Sequence, residues 1–412
     1  MKQYNICVIG GGAAGMMAAI TAAREGAKVT ILEAGDMLGK KILATGNGRC
    51  NLGNMKLNID HYHGSCYFLQ VALNEFGTAQ TISFFDDLGL MIKEKDGYLY
   101  PYCEQASVVL DALRNEIKAL GITVRFHSKV LEIQPNGKQR IIVKSINDTC
   151  AYDRVILTCG GKASPKTGSD GSGYELARKL GHRIVEVIPA LTYLKCKEKY
   201  FKSIAGVRAD ALVKLYGKNK EILCEEQGEL QLTERGISGI PVFQLSQMAG
   251  RQMIKEKELK ASIDFLPFVS MEEIKSYAKD RMKLCGERSV AEFFNGIINK
   301  KVITVILKLS GLELTNPSRN LSPKKVLEVL MLAKKFPCTI VGSGDFESCQ
   351  VCSGGVDCGQ ISKSMESKLV KGLYFAGEIL DVDGRCGGYN LQWAWTSGSL
   401  AGKHAAGRQE EN

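Results

Sequence analysis

Three glycines and one acid are spaced to hold two phosphates and a ribose. Gly10, Gly12 and Gly15 fall in Gly10-Gly11-Gly12-Ala13-Ala14-Gly15, a G-x-G-x-x-G run, and Glu33 lies eighteen residues past Gly15. Gly10 permits a tight turn out of a strand, Gly12 lets backbone approach a pyrophosphate, and Gly15 lets the following helix lie close on a sheet. The helix start, with Ala13 and Ala14, offers free N–H groups and a positive dipole end to the phosphates. A carboxylate at Glu33 accepts from ribose hydroxyls and disfavours a 2′-phosphate, so the expected ligand is FAD or NAD rather than NADP.

Two further stretches carry groups that bind phosphates or rings. Residues 39–54 read GKKILATGNGRCNLGN, a polar loop just after the second Rossmann strand. Lys40, Lys41 and Arg49 offer charge to phosphate, Gly46 and Gly48 let N–H groups point inward, and Asn47 and Asn51 suit the edge of a flavin ring. Near the other end, Ala376-Gly377-Glu378 is followed by Asp383-Gly384-Arg385-Cys386-Gly387-Gly388-Tyr389-Asn390-Leu391 and a small-residue helix to about residue 406. An acid and a Gly-rich turn before a helix N-terminus again make a phosphate- or ring-cradling arrangement. Partial positive charge at that helix start would stabilise an anionic reduced flavin. Cys349-x-x-Cys352, with Cys358 beyond it, is read as buried small residues rather than a redox or metal site, because no second pair has zinc spacing. His61 and His63 lack a third ligand by spacing and are read as a loop feature, so no metal site is expected.

The positioning elements follow from the periodicity. An apolar run at 4–9, a small-residue helix at 16–24 and a strand at 28–32 complete a βαβ unit. Helical patterns cover 65–88 and 105–120, and short strands follow at 123–126, 129–133 and 140–146. A strand over 153–158 leads into Cys159-Gly160-Gly161, and a buried strand ending in Thr-x-Gly-Gly resembles the second cofactor contact of two-dinucleotide-domain flavoproteins, which implies a cofactor contact at Gly160. Strands over 207–216, 221–226 and 229–233 mark a β-rich module, interrupted by a helix at 238–252. Ser270 and Glu273 form a capping box, Ser322-Pro323 starts another helix, and strand returns at 336–344.

Composition bounds the class. The chain has 412 residues, 45% hydrophobic and 24% charged, an ordinary globular balance with room for two or three domains. Net charge is +10, but the basic residues are spread along the chain, which favours a solvated basic surface over a nucleic-acid face. Residues 6–23 carry no charge, yet three consecutive glycines interrupt them, and the βαβ pattern accounts for the run better than a membrane span or a signal peptide. Fourteen cysteines without an export signal read as reduced thiols in the cytoplasm.

GGGAAGMMAA, KILATGNGRCNL, TCGG, QLTERGISGIPV and GLYFAGEILDVDGRCGGYNLQWAWTSG together resemble the YhiN/BaiN-like family of FAD-dependent oxidoreductases, flavoproteins of the two-dinucleotide-binding-domain class. The resemblance spans essentially the whole chain. It implies an α/β fold: a discontinuous Rossmann-like FAD domain (1–189 and 350–412), an inserted β-barrel-like domain (190–266 and 336–349) and a helical domain nested in it (267–335). Carried over by position, Gly12, Ala13, Ala14 and Gly15 would hold the pyrophosphate and Glu33 the adenosine ribose. Lys41, Gly46, Asn47, Cys50 and Asn51 would line the phosphates and flavin, and Val130 would meet adenine through its backbone. Gly377, Glu378, Asp383, Gly388, Tyr389, Asn390 and Leu391 would reach the ribityl chain and isoalloxazine. Glu378 departs from the Asp common in flavoproteins more broadly, and 349–358 is more cysteine-rich than in many relatives.

The family implies, in one member type, NADH-driven reduction of carbon–carbon double bonds in 3-oxo bile-acid or steroid-like enones. FAD is then the cofactor and NADH the electron donor, although only one G-x-G-x-x-G is present for a nucleotide domain. The expected partner is a small molecule of apolar, anionic character, with neither membrane nor nucleic acid. No residue is assigned as the catalytic proton donor; Arg385 and Tyr389 stand nearest by their place in the motif. Two other readings stay open. One is an FAD-dependent oxidase of small amines of the aminoacetone type. The other is a flavin-containing RNA-binding or tRNA-modifying protein, for which the net charge would matter.

Overall fold

The apolar run Asn5–Ile9 becomes the central strand of a five-stranded parallel sheet in the computed structural model, which describes residues 3–137 and 140–407. The strand order is Leu373–Phe375, Arg154–Leu157, Asn5–Ile9, Lys28–Leu32 and Thr123–Arg125. Ile9 pairs with Leu32 on one side and Leu157 on the other. Successive connections therefore leave the central strand in opposite directions, which makes its C-terminal end a topological switch point, the place where open α/β sheets bind ligands. The strands are apolar on both faces because both are covered, one by the helices Ala13–Arg24 and Tyr389–Ala405 and the other by the antiparallel strands Val130–Asn136, Arg140–Ser145 and Thr149–Tyr152.

The helix Ala13–Arg24 packs on the C-terminal helix Tyr389–Ala405 through small residues. A Cβ on Gly398 would lie 2.6 Å from the Ala14 carbonyl oxygen, and one on Gly402 would lie 2.4 Å from that of Ala18. The small-residue composition of both helices is thus a packing requirement, and it holds the two ends of the chain together.

The chain divides into two compact units, Met1–Ile188 with Phe346–Asn412, and Pro189–Asp345. The second unit contains a closed antiparallel barrel in the order Leu194–Cys196, Gly236–Gly239, Ile222–Thr233, Arg208–Tyr216, Leu259–Asp264 and Phe336–Ser343. Ala211, Val213 and Leu215 alternate inward along one strand, as a barrel wall requires. The helices Met271–Arg281, Val290–Phe293, Lys300–Leu309 and Pro323–Lys334 lie between two barrel strands in the chain, and their buried residues join the barrel's in one hydrophobic core. Ser270 Oγ accepts from Glu273 N at 3.2 Å while Ser270 N donates to Glu273 Oε2 at 2.7 Å, so the expected capping box forms.

Local expectations differ from the structure at three places. The pattern at 65–88 is two helices, Leu69–Glu75 and Thr78–Asp87. Gly77 breaks them, because a Cβ there would lie 2.6 Å from the Leu73 carbonyl oxygen. The two short strands expected at 221–233 are one, Ile222–Thr233, running through Gly228. Ile92–Lys95 and Tyr98–Pro101 form an unexpected hairpin with Asp96 and Gly97 both at positive φ. That Asp-Gly pair is a type I′ turn signal that was present in the sequence.

Candidate functional site

The C-terminal ends of the parallel strands bring the predicted residues of the two chain ends to one edge. Gly10 has φ +101°, and a Cβ there would lie 2.7 Å from the Thr158 carbonyl oxygen. Thr158 Oγ1 in turn donates to Ile9 O at 2.9 Å and Gly10 O at 2.8 Å, which ties the second strand end to the first turn. A Cβ on Gly15 would stand 2.0 Å from Gly10 O, so Gly15 seats the helix against the turn. Gly12 differs: nothing lies within 4 Å of where its Cβ would be. It is the helix N-cap, and the first-turn N–H groups of Ala13, Ala14 and Gly15 have no intrahelical partners. This open, donor-rich cradle fits a pyrophosphate.

Glu33 ends the second strand. Its Oε2 accepts from Gly11 N and its Oε1 from Gly35 N, both at 2.7 Å, which fixes the carboxylate beside the glycine turn. Each oxygen retains capacity for a further donor such as a ribose hydroxyl. Ser128 N donates to Glu33 O at 2.8 Å, and Val130 opens the strand Val130–Asn136 two residues later, buried.

Lys41 and Glu378, 337 residues apart, meet: Lys41 Nζ donates to Glu378 Oε2 at 2.7 Å. Glu378 Oε1 accepts from Cys352 N at 2.9 Å. Gly377 is held by Ser397 Oγ, which accepts from its N–H at 2.9 Å, and by Trp393 Nε1, which donates to its carbonyl at 3.3 Å. Gly160 has φ +70°, with Ser169 Oγ 2.7 Å from the position of a Cβ.

The loop at 39–54 is not wholly irregular as expected. It contains a 3₁₀ segment, Ile42–Gly48, broken at Thr45, Gly46 and Asn47, and a two-residue strand, Gly53–Asn54, paired with the unexpected hairpin. Gly46, Asn47 and Cys50 all have positive φ, which points backbone groups inward. The Cys50 side chain is buried and its thiol is pushed up to about 12 by burial, so only its backbone is available to a ligand. Arg49 is turned away toward Tyr100, with its guanidinium 5.0 Å from the ring centroid. The Asn51 amide, oriented so that its nitrogen faces carbonyls, donates to Gly53 O at 2.8 Å and accepts from Gly388 N at 3.3 Å.

The C-terminal turn is clamped by its own side chains. Asn390 Oδ1 accepts from Gly384 N at 2.8 Å and its Nδ2 donates to Gly384 O at 2.7 Å, so that amide shapes the turn. Gly388 is the helix N-cap, and a Cβ on it would lie 2.5 Å from Gly53 O. Leu391 is half-buried against the main core. Asp383 is buried in the strand Val382–Gly384.

His61 and His63, expected to be a loop feature, are not. Tyr62–Gly64 is a strand paired antiparallel with Val382–Gly384, with His63 opposite Asp383. The His61 ring lies 4.7 Å from that of Tyr389, and Arg385 N donates to His61 O at 2.9 Å. Burial, then the Arg385 charge, lowers the His63 pKa. Burial raises that of Tyr389, whose hydroxyl donates to Lys56 O at 3.4 Å. Asn54 was also missed: its Nδ2 donates to Gly387 O at 2.9 Å. Its signal was indirect, since only the hairpin turn at Asp96-Gly97 reveals that Asn54 has a strand to pair with.

Cys349, Cys352 and Cys358 are buried, as the reading of small core residues expected. Among the described residues, no group of three or more His, Cys, Asp or Glu side chains is placed to hold a metal, and no helix is long and apolar enough to cross a membrane.

The chain is 43% identical over 409 residues to a 3-dehydro-bile acid delta(4,6)-reductase of Clostridium scindens, covering 98% of this chain and 99% of that protein. It is 30% identical over 410 residues to a ribosomal RNA dihydrouridine synthase of Haemophilus influenzae, covering 96% and 97%. A 3-ketosteroid delta1-dehydrogenase from Sterolibacterium denitrificans shares the fold with a TM-score of 0.50 at 12% identity, covering 98% of this chain and 100% of that one. The HI0933-like protein Rossmann domain matches residues 4–404, nearly the whole sequence. The parallel sheet, its glycine cradle and this match together make the chain a member of the HI0933-like Rossmann family.

Proposed function

We propose that the protein is an FAD-dependent oxidoreductase that reduces a carbon–carbon double bond conjugated to a carbonyl, with a 3-oxo steroid or bile-acid enone as substrate and NADH as electron donor. The 43% identity to the C. scindens reductase along almost the full length carries this reading. The open cradle at Gly12, with Glu33 at one end of the edge and Glu378 at the other, supports an extended dinucleotide. Bound there, FAD supplies the hydride chemistry.

The protein's own groups would do the rest. Gly12, Ala13, Ala14 and Gly15 hold the pyrophosphate, and Glu33 accepts from the adenosine ribose. Gly46, Asn47, Cys50 and Asn51 present backbone or amide groups, and Gly160 and Gly377 keep backbone clear beside the ribityl chain. Lys41 sets the charge beside Glu378. The N-terminus of Tyr389–Ala405 would offer the flavin a positive dipole end. Protonation of the α-carbon needs an acid that is still protonated near neutral pH. Tyr389 is a phenol, protonated near neutral pH at its ordinary pKa and made a weaker acid by burial, whereas His63, with a lowered pKa, is held neutral. Arg385 is the cation of this cluster and suits the substrate carbonyl.

The test is an absorbance spectrum of the purified protein, then anaerobic titration with NADH and a 4-en-3-oxo steroid acid. Expected are a flavin spectrum, bleaching by NADH and recovery on adding the enone. Reduced protein that the enone leaves bleached would defeat the substrate assignment. The identity to an RNA dihydrouridine synthase favours one second reading, reduction of uridine in ribosomal RNA. Uracil also has a double bond conjugated to a carbonyl, so one site chemistry serves both. Recovery of the flavin by ribosomal RNA alone, with binding that weakens steeply in salt, would favour it.

A further inference from the structure

Tyr174 sits on the helix Ser172–Lys179, which follows the Gly160–Gly161 turn. Its side chain is buried, 5% exposed, and among the described residues its hydroxyl has no hydrogen-bond partner. A buried hydroxyl without a partner is costly, so such a group calls for an explanation. Burial raises the phenol pKa well above its usual value, so the group is a donor. A Cβ on Gly161 would lie 3.0 Å from the Tyr174 hydroxyl and 3.0 Å from Glu378 Oε1. The two oxygens therefore border the same bare piece of backbone, which glycine alone keeps clear. Glu378 is an acceptor that already holds Lys41 and the Cys352 N–H. A donor and an acceptor stand side by side at the C-terminal ends of two adjacent parallel strands, Arg154–Leu157 and Leu373–Phe375.

A group that both accepts and donates fits between them, and a polyol hydroxyl is such a group. We propose that the Tyr174 hydroxyl is a cofactor contact that donates a hydrogen bond to the polyhydroxylated chain of the flavin nucleotide beside Glu378. This rests on the FAD reading above. The competing explanations are a buried water or a local swing of the phenol onto Glu378.

Tyr174→Phe separates them, because the explanations predict different signs in the cofactor-free protein. The expected result is apoprotein melting unchanged or raised, since an orphaned polar atom has been removed, and FAD affinity weakened about 3- to 10-fold in a fluorescence titration. A lower melting temperature of the apoprotein, or an unchanged FAD affinity, overturns the proposal. Gly161→Ala gives a second measure: its Cβ crowds both oxygens and should also weaken FAD binding, and normal binding would count against the assignment. Wild-type protein that takes up no FAD would remove the cofactor reading itself, a different outcome from a wild type that binds FAD and a Phe variant that binds it equally well.

Discussion

Gly12 and Gly15 are three residues apart in the same turn, yet an alanine at each should fail in opposite ways. At Gly15 the new Cβ would stand 2.0 Å from Gly10 O and 2.7 Å from Thr158 Oγ1. No carbon approaches a carbonyl oxygen that closely, so the helix or the turn must shift by about 1 Å, an overpacking worth about 3 kcal/mol. For a unit of this size that is a fall of about 6–12 °C in melting temperature. At Gly12 the Cβ meets nothing within 4 Å and φ is −76°, which alanine adopts freely. Losing glycine at the N-cap costs about 0.5–1 kcal/mol, and the stiffer unfolded chain offsets about as much, so apoprotein stability should hardly change. The methyl group instead projects where phosphate oxygens must reach the helix N–H groups. Loss of two charge-assisted hydrogen bonds there removes about 3 kcal/mol of binding, about 100-fold in affinity. The assay is calorimetric melting of both apoproteins beside FAD titration of each. If Gly12→Ala destabilises the apoprotein as much as Gly15→Ala, or binds FAD within threefold of wild type, the cradle is not where the cofactor lies.

Lys41→Met should reduce stability by no more than about 1 kcal/mol, because the ion pair with Glu378 is partly solvated, but it should weaken FAD binding about tenfold; a variant with wild-type affinity would detach Lys41 from the site. His182 is buried, with Nε2 2.8 Å from Ser367 Oγ, and burial lowers its pKa below the ordinary 6.5. The unfolded chain thus takes up a proton near pH 6.5 that the folded chain resists. This stabilisation is complete above that pH and is lost as pH falls through the folded value. The urea midpoint should drop between pH 7.5 and 5.5, and His182→Asn should flatten the drop; an unaltered slope would assign it to other groups. Cys103 is the exposed thiol, so aromatic disulfide reagent should titrate it ahead of the others and Cys103→Ser should abolish the fast phase. Several equivalents reacting fast would mean that the half-buried cysteines are as accessible as Cys103.

The cradle was legible because its causes are local. The strand–turn–helix period needs no distant partner to be recognised and Gly15 meets Gly10 of its own turn, although what crowds Gly10 is the distant Thr158, which the local pattern does not reveal. The same holds for the Ser270–Glu273 and Ser322–Pro323 helix starts, where the capping atoms lie within three residues. The strand order of the sheet and the closure of the barrel were not legible residue by residue, since both depend on pairings between segments far apart in sequence. The hairpin at Asp96-Gly97 had a turn signal, but its partner Gly53–Asn54 did not.

A nucleotide-binding turn can be read from the residues alone, because glycine spacing, an apolar strand and a terminal acid act over a few positions. What surrounds that turn comes from the packing of the whole chain. It set Lys41 against Glu378 across 337 positions and aligned His63 with Asp383. Such contacts arise when helices and strands built from distant segments pack on one core. No local pattern encodes which side chains that packing leaves facing each other.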